Sequence, residues 1–75
     1  LFTDQEYMRA LVHRSLELMQ TEFETNTWKA CWAQVVEGES PSTVALRLGM
    51  TENAVYLAKS RVLRRLRDEL DGLMD

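Results

Sequence analysis

One cysteine and one histidine occur among 75 residues. A lone thiol cannot form an internal disulfide, and a Cys/His metal site is not expected. Free-thiol usage of this kind suits a reducing compartment. No run approaches the roughly 18 apolar residues of a membrane span, and no leader pattern is present. The chain is therefore expected to be soluble and cytoplasmic, with no membrane partner. No segment alternates apolar and polar residues with period two, so no strand is expected. No glycine-rich phosphate loop occurs. His13 lies between Val12 and Arg14, with no cysteine or carboxylate at a catalytic spacing, so no enzyme and no cofactor are expected. The chain opens on Leu1 rather than methionine, which reads as a fragment of a longer protein.

What is present is an apolar fraction of 45% and one small domain's worth of chain, so residues 1–75 read as a single helical domain. The net charge of −3 hides an uneven distribution. Residues 1–40 hold seven acids and three bases, a balance of −4; residues 53–67 hold five bases and no acid, a balance of +5. Such a domain has an acidic end that repels nucleic acid and a basic helix that attracts it.

The single proline and the three glycines fall at helix boundaries. The fold class is all-α, with helices at about 4–22, 27–37, 41–48 and 52–71. In the first, Met8, Leu11, Val12, Ser15, Met19 and Phe23 follow a helical stripe flanked by Tyr7, Leu16 and Leu18. Thr3 is its N-cap, with Glu6 at capping-box distance. The second helix has Trp28, Cys31, Trp32, Val35 and Val36 on its apolar face, with either Thr25 or Asn26 as cap and Gly38 past its end. Most of the two tryptophans and two valines should be core. Ser40 caps the third helix, Pro41 occupies its first turn, and Gly49 ends it. Thr51 caps the fourth, whose stripe is Val55, Ala58, Val62, Leu66 and Leu70, with Gly72 as its stop. Met8, Met19, Met50 and Met74 read as gap-fillers.

Residues 40–70 have the makings of a helix-turn-helix. Ala45 is small enough for a close helix crossing, Gly49 tolerates a left-handed turn, Met50 plugs the corner, and Val55 and Ala58 seat the second helix. The outward face of that helix then carries Thr51, Glu52, Asn53, Tyr56, Leu57, Ser60 and Arg61. Asn53 suits adenine, Arg61 suits guanine and Glu52 suits a cytosine amine. Tyr56 and Leu57 suit either a thymine methyl or a sugar, or else packing against the first half of the chain. Lys59, Arg64, Arg65 and Arg67 suit phosphates, with Ser42, Thr43 and Arg47 as further phosphate contacts. For Arg64, Arg65 and Arg67 a solvated, dipole-complementing helix end is an equal alternative.

The segment "VVEGESPSTVALRLGMTENAVYLAKSRVLRRLRDEL" resembles the C-terminal promoter-binding domain (region four) of bacterial RNA polymerase sigma factors, most closely the extracytoplasmic-function group. The matching positions are Glu37-Gly38-Glu39-Ser40, Val44-Ala45, Leu48-Gly49-Met50-Thr51, Ala54-Val55, Arg61 and Leu66-Arg67. The resemblance covers about residues 25–70. It implies a four-helix unit that binds double-stranded promoter DNA at the −35 element, docks on the β flap of the polymerase core, is masked by an anti-sigma factor, and works as a monomer. The family's base-contacting positions fall on Tyr56, Leu57, Ser60 and Arg61. The chain departs from the family where a basic residue is replaced by Tyr56, a serine by Leu57, and two arginines by Ala58 and Leu63. Two other readings remain open: the helix-turn-helix output domain of a response regulator, which would dimerise, and a helical protein-interaction module whose basic helix binds an acidic partner.

Overall fold

The computed structural model describes residues 3–73. Among them are four α-helices and no strand: α1 (Asp4–Leu18), α2 (Thr25–Val35), α3 (Pro41–Leu48) and α4 (Glu52–Leu73), with a 3-10 turn at Gln20–Glu22 between the first two. The all-α architecture expected from the sequence is what the chain adopts. Leu1 and Met74 lie outside the described residues.

The helix starts follow local chemistry. Thr3 Oγ1 accepts the Glu6 N–H at 3.2 Å, Ser40 Oγ accepts that of Thr43 at 3.3 Å, and Thr51 Oγ1 accepts that of Ala54 at 3.0 Å. Each satisfies one of the orphan donors of a first turn. The exception is α2. It begins at Thr25, so neither Thr25 nor Asn26 is the cap; Glu24 holds that position without a side-chain bond.

The helix ends depart more from expectation. α1 stops at Leu18, well short of residue 22. The Met19 N–H is shared between the carbonyls of Ser15 and Leu16, at 3.1 and 3.2 Å, which tightens the chain into the 3-10 turn. Trp28 Nε1–H then takes the Leu16 carbonyl at 2.8 Å, a tertiary bond that no local pattern announces. α2 ends at Val35 rather than at residue 37. The chain then wraps through Gly38 at φ +71°, and the Glu39 N–H returns to the Ala33 carbonyl at 3.0 Å. Gly49, at φ +67°, closes α3 as expected, with the Met50 N–H on the Ala45 carbonyl at 2.9 Å. Gly72 stops nothing, because α4 continues to Leu73.

Two clusters make the core. One joins Ala30 and Ala33 of α2, Val44 and Ala45 of α3, and Val55 and Ala58 of α4, with Leu48 and Met50 at its edge. Its residues are all alanine or valine, so three backbones approach closely. The other joins Leu16, Met19, Cys31, Val62 and Leu66, edged by Val12, Phe23, both Trp32 and Val35, Leu63 and Leu70. The expected α1 stripe holds at Leu11, Val12, Ser15, Met19 and Phe23, all buried or half-buried; the departures are Leu16, expected at its flank but buried at 1% exposure, and Met8, which is 48% exposed. The reason is that α1 meets the body only through its C-terminal half, and residues 3–10 are all exposed. On α2 the fully buried positions are Ala30, Cys31 and Ala33. Of the four larger residues expected to be mostly core, Trp32 and Val35 pack half-buried against the second cluster, Trp28 is half-buried, and Val36 is exposed.

The two glycines at helix ends give a paired expectation. A Cβ on Gly49 meets nothing within 4 Å, but at φ +67° it costs about 1 kcal/mol of backbone strain. A Cβ on helical Gly72 also meets nothing within 4 Å and gains up to about 1 kcal/mol in helix propensity. Thermal unfolding should therefore show Gly49→Ala melting below, and Gly72→Ala at or above, the parent chain.

Candidate nucleic-acid interface

α4 buries one line, Val55, Ala58, Val62 and Leu66, at 4% exposure or less. On a helix, whatever lies opposite that line must face outward. Asn53, Tyr56, Leu57, Ser60, Arg61, Arg64 and Arg67 do so, and all are exposed. Thr51 and Glu52 are exposed at the start of the same helix, where Thr51 also serves as the cap. Lys59 is half-buried on the flank. The reading positions expected from the sequence therefore share one surface. Tyr56 and Leu57, at 56% and 47% exposed, do not take the alternative of packing against the first half of the chain.

The remaining basic and hydroxyl candidates are committed within the fold. Arg47 Nη2 lies 2.6 Å from Glu39 Oε2 and 3.8 Å from Glu37 Oε1. Arg65 Nη2 lies 2.6 Å from Glu69 Oε1, and its Nε lies 3.0 Å from Glu22 Oε1. The hydrogen bond to Glu69, and then the field of Glu22 and Glu69, hold the Arg65 guanidinium above its ordinary range. Surface pairs of this kind contribute little to stability, about 0–1 kcal/mol each, but they occupy the donors and offset the charge. Ser42 and Thr43 belong to the cap of α3, with hydroxyls 3.2 and 2.9 Å from Ser40 Oγ. Sequence spacing placed Arg65 with the phosphate-facing bases; the structure turns it toward the 3-10 turn.

By contrast, Lys59, Arg61, Arg64 and Arg67 make no ion pair among the described residues. Ser60, Arg64 and Arg67, with Leu63, line a shallow hollow, and Leu57, Ser60, Arg61 and Arg64 line a second. Cations without an ion pair among the described residues, on an outward helix face with no acid between residues 53 and 67, produce a positive potential directed at solvent.

Two features escaped the sequence. Gln34 Nε2–H donates to the Ala30 carbonyl at 2.9 Å and to the Val55 carbonyl at 3.2 Å, so a side chain of α2 grips the first turns of α4 and fixes the base-bearing face. Its only signal was a single polar residue within the otherwise apolar run from Ala30 to Val36. The second is a groove of about 480 Å³ between α1 and the end of α2, walled by Met8, Val12, Val35 and Val36, with Arg9, His13 and Glu37 at its rim. Surplus apolar residues at Met8 and Val36 were its trace.

The other reactive side chains have structural settings. His13 meets Trp32 edge-on at 4.7 Å and its Nδ1 lies 3.2 Å from Glu17 Oε1; Trp32 in turn stacks on Trp28 at 4.9 Å. Cys31 is buried, and loss of hydration pushes its thiol up to about 11 despite the opposing charge of Lys59. Among the described residues, no group of three or more His, Cys, Asp or Glu is placed to hold a metal ion, and no helix is long and apolar enough to cross a membrane. No protein-family model, curated protein or solved structure matches the chain.

Proposed function

We propose that this chain binds duplex DNA, with α3 and α4 acting as a helix-turn-helix and α4 as the helix that enters the major groove. The observation that carries the reading is the row of unpaired bases on the outward face of α4, set beside two other arginines that are neutralised internally. Asn53, Ser60 and Arg61, on the first turns, supply the donors and acceptors for base edges. Lys59, Arg64 and Arg67 supply phosphate contacts. A helical interaction module would equally use a basic helix, but the tight Gly49 turn and capped start at Thr51 favour the projection of one helix end, as groove insertion needs.

Within that reading, the resemblance of residues 25–70 to sigma region four makes the −35 promoter element the target, in a protein that directs transcription initiation as a cytoplasmic monomer. The acidic half, with the apolar groove between α1 and α2, then provides the face for the polymerase β flap or an anti-sigma factor. A dimerising response-regulator output domain is the alternative.

Fluorescence anisotropy on a labelled duplex across a salt series tests the binding. With phosphate contacts from Lys59, Arg64 and Arg67, the logarithm of affinity should fall with the logarithm of salt with a slope of roughly −2.7. Binding indifferent to salt, or no binding at about 50 mM salt, overturns the proposal.

A further inference from the structure

We infer that Tyr56 and Leu57 form an apolar reader for the C5-methyl group of thymine. The inference rests on the DNA-binding reading above and adds to it the class of base read. Both side chains stand on the outward face of α4, 56% and 47% exposed, in the middle of the row running from Asn53 to Arg61. A large apolar side chain is not needed there by the fold, since the opposite face of the helix makes the core.

Charge decides the occupant. Leu57 lies in a hollow of about 310 Å³ whose other walls are Ser60, Arg61 and Arg64. An apolar spot edged by guanidinium groups and a hydroxyl does not suit a second copy of this chain, because the same bases would face each other. It suits a surface that is anionic around an isolated apolar point. The major groove offers such a surface: phosphates flank it, and the thymine methyl is the one apolar group that the base edges present there. Phosphates alone give Tyr56 and Leu57 nothing to cover, whereas a methyl seated against Leu57 leaves Arg61 and Ser60 over the neighbouring base.

The test uses the whole 75-residue chain and a duplex pool with a randomised centre. Bound duplexes at low salt should be enriched in thymine at a fixed position. Replacing that thymine by deoxyuridine, which removes only the methyl, should weaken binding about fourfold, the value of one buried methyl. Tyr56→Asn/Leu57→Asn should bind the thymine and uracil duplexes equally while keeping the parent's salt slope. Both positions are exposed, so circular dichroism should show the variant folded. Equal binding of the two duplexes by the parent chain, or enrichment with no fixed thymine, overturns the methyl reader and leaves DNA binding standing. A folded chain that binds no duplex at low salt, or that prefers poly-glutamate, overturns both.

Discussion

Reversing Arg61, Arg64 and Arg67 together to glutamate should abolish binding to duplex DNA, with a loss of about a thousandfold at low salt. Each reversal replaces an attraction to the anionic duplex by a repulsion. At contact distance in water that is about 2 kcal/mol per site, so three sites amount to roughly 4–6 kcal/mol. All three side chains are exposed and none is ion-paired among the described residues, so the fold has little to lose. The matched control is Arg47→Ala/Arg65→Ala. These cations are offset by Glu37 and Glu39 and by Glu22 and Glu69, and their removal should leave the salt slope unchanged. Anisotropy titrations of the two variants separate a directed basic face from a generally basic helix. If both variants weaken binding alike, the outward face of α4 has no special part in binding and the proposed interface is wrong.

The largest stability loss should come from Leu16→Ala. Leu16 is 1% exposed and sits in the cluster that ties α1 to α2 and α4 through Met19, Cys31, Val62 and Leu66. Truncating a buried leucine costs about 2–5 kcal/mol, the spread reflecting how far the cavity collapses. In a domain of this size each kcal/mol lowers the melting temperature by about 4–8 °C, so a fall of roughly 8–40 °C is expected. Leu18, two positions on and 66% exposed, should tolerate alanine with a change of no more than about 0.5 kcal/mol. Thermal melts of the pair read the packing of α1 directly, because the two leucines are indistinguishable in composition and close in sequence. Comparable losses would show that α1 packs on a different face.

Leu16 and Leu18 both flank the expected stripe of α1, and nothing local ranks them. The rank is set by what α1 packs on: Leu16 joins Met19, Cys31, Val62 and Leu66 in one cluster, while Leu18 is left 66% exposed. Trp28 and Trp32 show the same limit. Their size argues for the core, yet the tight approach of α2 to α3 and α4 runs through Ala30 and Ala33, and the indoles stack on one another half-buried, with Trp32 at the edge of the second cluster. Large side chains cannot occupy an interface that small ones have already closed.

The row of candidate reading residues was legible because it is the complement of a regular buried line on one helix, Val55, Ala58, Val62 and Leu66. Helical period alone carries that inference. The fate of the arginines was not legible. Arg65 differs from Arg64 by one residue, but it finds Glu22, 43 positions away in the chain, while Arg64 faces solvent. Gln34 likewise reaches the Val55 carbonyl from 21 positions away.

The sequence by itself determined the all-helical class, the caps at Thr3, Ser40 and Thr51, the left-handed turn at Gly49 and the line that α4 buries. These rest on bonds and periods that span three to five residues, so the local order of side chains is enough to specify them. Only the tertiary structure decided where α1 ends, how far the tryptophans are covered, and which bases make no ion pair among the described residues. Those outcomes depend on pairings across the fold, such as Trp28 with the Leu16 carbonyl and Arg65 with Glu22, and distance along the chain carries no information about distance in space.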